Sequence, residues 1–272
     1  MINRAIFHKT TADSASLIIA AALGIIGFVV LFVWAMLSVG TEVLDFVAKF
    51  AFLRKIFEAG FGIKVDGEVS INILFAVCFT HAVVLALSWA VMIAITTRVT
   101  AGEIEKGTAD LLLALPVTRS EVYFSTSLVW VVAAIGLAVC PIIGVWIGSQ
   151  VFVTPEVVEV ARYGKPALNF LFLLWAIGGI SSLVACCVDR RGPAIAVVVG
   201  IVLLSTVLNF VEPFIESLKP LRYLGLLNYF RPVDVFRAET WPIRSMVVLF
   251  LLAIGCWWAG LIVFCRKDIP TA

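Results

Sequence analysis

Apolar residues fall along this chain in long unbroken runs, not in the alternating or three-and-four spacing of a half-buried strand or helix. Bracketing each run by its nearest charges isolates six stretches: Asp13 to Glu42, Glu68 to Arg98, Glu121 to Glu156, Lys165 to Asp189, Arg191 to Glu212 and Arg244 to Arg266. Roughly 20 apolar residues, rising about 1.5 Å each, cross a hydrocarbon layer of about 30 Å. The pattern therefore predicts six membrane-spanning helices, at about 17–38, 71–96, 124–149, 167–187, 193–211 and 245–264. Their interiors carry no Asp, Glu, Lys or Arg, so each can insert on its own merits. In span three Pro141 is followed by Gly144 and Gly148; proline removes a backbone hydrogen bond, so a kink or a break into two pieces is expected there. Leu17 to Leu37 is too long for a signal-peptide core, and the first span is expected to remain.

The intervening segments differ in kind. Residues 41–70 mix Phe46, Phe50, Phe52, Phe57 and Phe61 with charges, which reads as an amphipathic helix at the outer interface. Residues 212–244 hold Pro213, Pro220, Pro232 and Pro242 among many aromatic and aliphatic residues. That segment is too apolar for water and too broken to span, so it is expected as short re-entrant or interfacial helices packed on the bundle before span six. No repeat and no separate soluble domain is visible, and residues 1–272 read as one all-α transmembrane domain.

Composition agrees with a lipid solvent: 62% of residues are hydrophobic and 14% charged, against roughly 25% charged in soluble domains, and the mean hydropathy is +1.10. A net charge of +2 without a dense basic tract gives no footing for nucleic acid. All six cysteines lie within or beside apolar runs and read as packing residues; adjacent Cys186 and Cys187 point about 100° apart on a helix and lack a second ligand pair for a metal. Six crossings put both termini on one face. The loops on that face carry nine Lys and Arg and the opposite loops eleven, a near balance. The pairs Arg190/Arg191 and Arg266/Lys267 abut span ends, where positive charge counts most, and place the termini in the cytoplasm.

The loop between spans two and three carries the most information. Glu103, Glu105 and Lys106 precede a Gly107-Thr108 break; a short apolar stretch from Ala109 to Leu115 then bears Asp110 near its N-terminal end, where the helix dipole favours a carboxylate. Pro116 stops it, and Thr118 is placed to cap the next helix as Ser120 and Glu121 lead into span three. The expected form is a short helix across the membrane face, flanked by charges suited to another protein. A plain solvated topology loop would need neither the Gly-Thr break nor the proline stop.

This pattern, Glu-x-x-x-Gly-Thr-x-Asp-x-Leu-Leu followed by Pro-Val-Thr-Arg over 103–119, resembles the corresponding loop of ABC-2 type permeases, the membrane subunits of bacterial ATP-binding cassette exporters. An N-terminal lead-in with Ile2, Ile6 and Phe7, six spans, and the Tyr229-Phe230-Arg231-Pro232 segment also fit. The resemblance implies that Glu103, Glu105, Lys106, Gly107, Thr108, Asp110, Leu112, Pro116 and Arg119 belong to a coupling helix contacting a separate ATPase subunit. It further implies that ATP and Mg are bound by that partner with no cofactor in this chain, that a second permease subunit pairs with this one, and that the assembly sits in the bacterial plasma membrane. On this reading the chain itself is not an enzyme. No converging acid, base, nucleophile or metal ligands appear.

His81 is the one plainly titratable side chain deep in a span. An intramembrane ionisable residue marks a transport-path candidate; a neutral imidazole bonded to a neighbouring helix is the commoner situation. With the Pro141 break it would serve the alternative reading, an ion-coupled secondary transporter. Gly178, Ser182 and Cys186 give span four a small face suited to packing within the subunit or across a dimer. Trp34, Trp89, Trp146, Trp175, Trp241 and Trp257 fall toward span ends and read as an interfacial belt.

Overall fold

A computed structural model describes residues 2–50, 52, 54, 70–99, 101–105, 117–211, 214–237 and 241–267. The described residues form an all-α bundle without strands. Its helices are α1 (Arg4–Lys49), α2 (Ile71–Ala76), α3 (Ala82–Val99), α4 (Ala101–Glu105), α5 (Arg119–Val151), α6 (Gly164–Cys187), α7 (Arg191–Val211), α8 (Pro232–Arg237) and α9 (Ile243–Arg266). Six helical segments are long and apolar enough to cross a membrane: Arg4–Val39, Ile71–Arg98, Arg119–Val151, Val160–Cys187, Arg191–Val211 and Ile243–Arg266. They match the six expected spans, and the chain is a multi-pass membrane protein.

The first helix absorbs its neighbours. Asn3 caps α1 by accepting from the backbone N–H groups of Ala5 and Ile6, and the helix then runs 46 residues, about 69 Å at about 1.5 Å per residue. The N-terminal lead-in is thus the first turns of span one, and residues up to Lys49 continue the same rod where the sequence suggested a separate amphipathic helix. Phe46 and Phe50 pair at 5.2 Å near its end. Most of the Phe-rich segment beyond lies outside the described residues.

The middle spans form the core. In the most apolar windows of spans two and four 61% of residues are buried, against 22% in spans one, five and six. Small residues set the close seams. A Cβ on Gly144 would lie 2.6 Å from the Cβ of Val29, and one on Gly148 would lie 2.8 Å from that of Val33, so α1 seats two valines into two notches of α5. On α6, a Cβ at Gly178 would strike Trp130 at 2.6 Å, and one at Gly179 would collide with the carbonyl oxygen of Ala253 on α9. Together with buried Ser182 and Cys186, the small face of span four is therefore used within the subunit. Thr96 and Ser181 add a buried hydroxyl pair at 2.5 Å between α3 and α6.

The interrupted span is not the one expected. Helix α5 continues through Pro141, with the valine seam on α1 holding the turns just beyond it, and the Cys140 thiol donates to the Gly136 carbonyl at 3.2 Å in that turn. Span two is the interrupted one: α2 passes into a 3₁₀ turn (Val77–Thr80), His81 is extended (φ −66°, ψ 135°), and α3 begins at Ala82.

Opposite the termini, the segment before span six forms 3₁₀ turns at Glu216–Leu224 and Leu226–Tyr229 and then α8, as expected of short interfacial helices. Leu226, Leu227, Phe230, Val233 and Phe236 are buried against the bundle, and the Leu226 N–H donates to Ser205 Oγ at 2.7 Å. On the same face the Asn72 side chain donates to the Val157 carbonyl and accepts from the Glu159 N–H, both at 3.1 Å, tying span two to the loop before span four.

Candidate functional site

The face that carries both termini is where the information-rich loop returns to the bundle, and each end of that loop is fastened to a different helix. Glu105, the last residue of α4, accepts the backbone N–H of Arg191 at 2.9 Å. Arg191 opens α7, and the first N–H groups of a helix have no intrahelical acceptor and sit at its positive end. A carboxylate there satisfies an orphan donor and the dipole together. The Arg191 guanidinium turns back to the Ala94 carbonyl of α3 at 3.4 Å, and its aliphatic stem passes beside Gly102, where a Cβ would stand in ordinary contact with it.

The other end is capped and clamped. Thr118 and Glu121 form a reciprocal capping box at the start of α5: Thr118 Oγ1 accepts from the Glu121 N–H at 3.2 Å, and the Glu121 carboxylate accepts from the Thr118 N–H at 3.0 Å. Arg119, half-buried, donates through Nη1 to the carbonyl of Phe264 at 3.4 Å and to that of Lys267. These belong to the C-terminal end of α9, where carbonyls lack helical donors and a cation suits the dipole. Lys267 in turn pairs with Asp189 at 2.6 Å and donates to the Cys186 carbonyl at 3.0 Å at the end of α6. At the start of the loop, Arg98 donates to the Asp13 carbonyl of α1 at 2.5 Å. Through Arg98, Glu105 and Arg119, the described residues of this segment thus touch spans one, five and six directly and reach span four through Lys267.

Of the residues picked out by sequence, Glu105 and Arg119 are seen in these contacts and Glu103 lies on α4. Lys106, Gly107, Thr108, Asp110, Leu112 and Pro116 lie outside the described residues. Arg119 points into its own subunit, so its visible role is to hold α9. Sequence reasoning passed over Arg191, Lys267 and Asp189 as binding partners in this network; the basic residues had registered only as topology signals. The Thr-x-x-Glu spacing at 118–121 was a local signal of the capping box.

His81 occupies the break in span two. Its Nδ1 accepts the Val83 N–H at 3.3 Å and its carbonyl accepts from Leu85 N–H at 3.1 Å, so it serves as the N-cap of α3. Its ring packs on Phe28 at 4.4 Å and Phe32 at 5.7 Å, both on α1. His81 and Pro141 do not combine into one broken-helix site, because the helix is interrupted only at the first.

Among protein families, the one described as multidrug efflux system permease Rv1217c, C-terminal domain, matches residues 15–265. No curated protein matches the chain.

Proposed function

The chain belongs to the family described by the C-terminal domain of the multidrug efflux system permease Rv1217c, which makes it a transport permease, and from that membership we infer that it is the membrane subunit of an ATP-driven ABC-2 type exporter. Its cargo on this reading is the class that the family description names, drugs moved outward. A separate ATP-binding cassette subunit, carrying ATP and Mg, docks on the coupling segment within 103–119, and a second permease subunit completes the path. The assembly lies in the bacterial inner membrane with both termini cytoplasmic.

One observation supports this reading above the others: the two ends of the coupling segment are bonded to the ends of two different spanning helices, Glu105 to the start of α7 and Arg119 to the end of α9. A push on the segment from outside the membrane is delivered to spans five and six together, which is what coupling a partner's closure to a two-state bundle requires. Chemistry in this chain is not needed.

The test is co-purification followed by transport. An ATP-binding cassette protein is expected to accompany the chain, and Glu105→Ala and Arg119→Ala are each expected to cut ATP-driven efflux at least tenfold while the permease remains in the membrane. If no such ATPase associates and both variants transport normally, the reading is wrong. The break at His81 favours a second reading, an ion-coupled transporter, in which a proton uncoupler would stop efflux with ATP held constant.

A further inference from the structure

On the half of the bundle nearest the termini, a lateral groove of about 330 Å³ lies between α5, α6 and α9. Five rings line it: Phe124 and Trp130 from α5, Trp175 from α6, and Phe250 and Trp257 from α9. Its wall is almost wholly apolar. Two indoles that would otherwise offer N–H groups to a ligand have spent them inside the protein, Trp257 on Ser127 Oγ at 2.7 Å and Trp175 on the Val131 carbonyl at 3.4 Å. Ile2 joins the lining at the terminal face, placed there because the Asn3 N–H donates to Ser125 Oγ at 2.8 Å.

Shape and chemistry narrow the occupant. Phe124 and Val131 on one wall, and Phe250 and Trp257 on the other, each lie seven residues apart, so the groove runs about 10 Å, two turns, along the helix axes. Its volume is at the small end of the roughly 300–1,000 Å³ of small-molecule sites, which suits one narrow chain. A wall without charge or free hydrogen-bonding groups disfavours any ligand bearing polar atoms, since burying them unpaired is costly. Exposed Phe250 and Ile254 put the opening on the outer surface of a spanning helix, where the bilayer presents hydrocarbon chains parallel to the helices.

We propose that this groove is a binding site for one acyl chain of a membrane lipid from the leaflet nearest the chain termini. The chain lies between α5 and α9 against the Trp175 ring, and its fit comes from dispersion contacts and exclusion of polar groups. The inference rests on the membrane placement of the spans and is independent of how transport is powered.

The experiment uses the full chain in lipid nanodiscs made with a phosphatidylcholine that carries a diazirine midway along one acyl chain. After irradiation the cross-linked peptides are mapped. Adducts are expected to concentrate on 124–131 and 250–257, and to fall at least fivefold in Ile254→Trp, which fills the groove from a lipid-exposed position. Leu128→Trp, filling it from the opposite wall, is a second route should the first variant fold poorly, and Val207→Trp on the exposed face of α7 should change nothing. Adducts spread over α1, α7 and α9 in proportion to exposure, or groove adducts that persist in a folded filling variant, would overturn the proposal.

Discussion

Every helix ends in carbonyls that lack intrahelical donors, and Arg119 reaches from the first turn of α5 to two of those at the end of α9. The neighbouring Thr118 fixes where that turn begins. Thr118→Ala removes the hydroxyl acceptor of the capping box, at a cost of about 0.5–2 kcal/mol; a lower melting temperature of the purified permease is expected, and Thr118→Ser should restore it. Steric limits give a sharper contrast. Gly179 faces the backbone of Ala253, which cannot swing aside as a side chain can, whereas nothing stands within 4 Å of a Cβ at Gly200. Gly179→Leu is expected to destabilise by about 1–3 kcal/mol or more through overpacking, and Gly200→Ala to leave thermal unfolding within error. Equal melting points for the two would show that the α6 to α9 seam does not need its glycine.

At the scale of elements, sequence and structure diverge over where a helix breaks. Pro141 advertises a break and the helix passes through it, because α5 is clamped to α1 by valines in glycine notches on its far half. His81 advertises none, yet it ends one helix and starts another. Ring packing on Phe28 and Phe32 and the side-chain cap decide the matter there, and those partners sit some fifty residues away on α1. His81→Asn keeps a capping acceptor and should retain efflux, whereas His81→Leu, which keeps apolar packing and loses the acceptor, should lower both melting temperature and transport. If His81→Leu behaves as the parent protein does, the break is unimportant. The same distinction explains what was readable at the loop. Thr118 and Glu121 form a local pattern, so the start of α5 was accessible from residues alone. The bonds from Glu105 to Arg191 and from Arg119 to the end of α9 join positions 86 and more than 140 residues apart, and no local spacing encodes them.

For the whole molecule, six runs of hydrophobicity bounded by charge were enough to place six crossings, since the cost of a charge in hydrocarbon is paid residue by residue. How the crossings pack depends on side-chain shape at Gly144, Gly178 and Gly179, which composition does not express. Sidedness can be read chemically. Cys187 and Cys265 are exposed at the ends of α6 and α9, while Cys78, Cys140 and Cys186 are buried. With cytoplasmic termini, a membrane-impermeant maleimide should leave intact cells unlabelled and modify Cys187 and Cys265 once the membrane is opened. Labelling of Cys187 in intact cells would invert the proposed orientation and remove the loop from reach of any cytoplasmic ATPase.

The seating of Val29 and Val33 against Gly144 and Gly148 also bears on how the protein is made. Helix α1 acquires this complementary surface only after more than a hundred further residues have been translated. Until then span two alone can pack on it, through His81 on Phe28 and Phe32, so a nascent chain arrested before the third crossing would present the Val29 and Val33 face unmatched to membrane quality control.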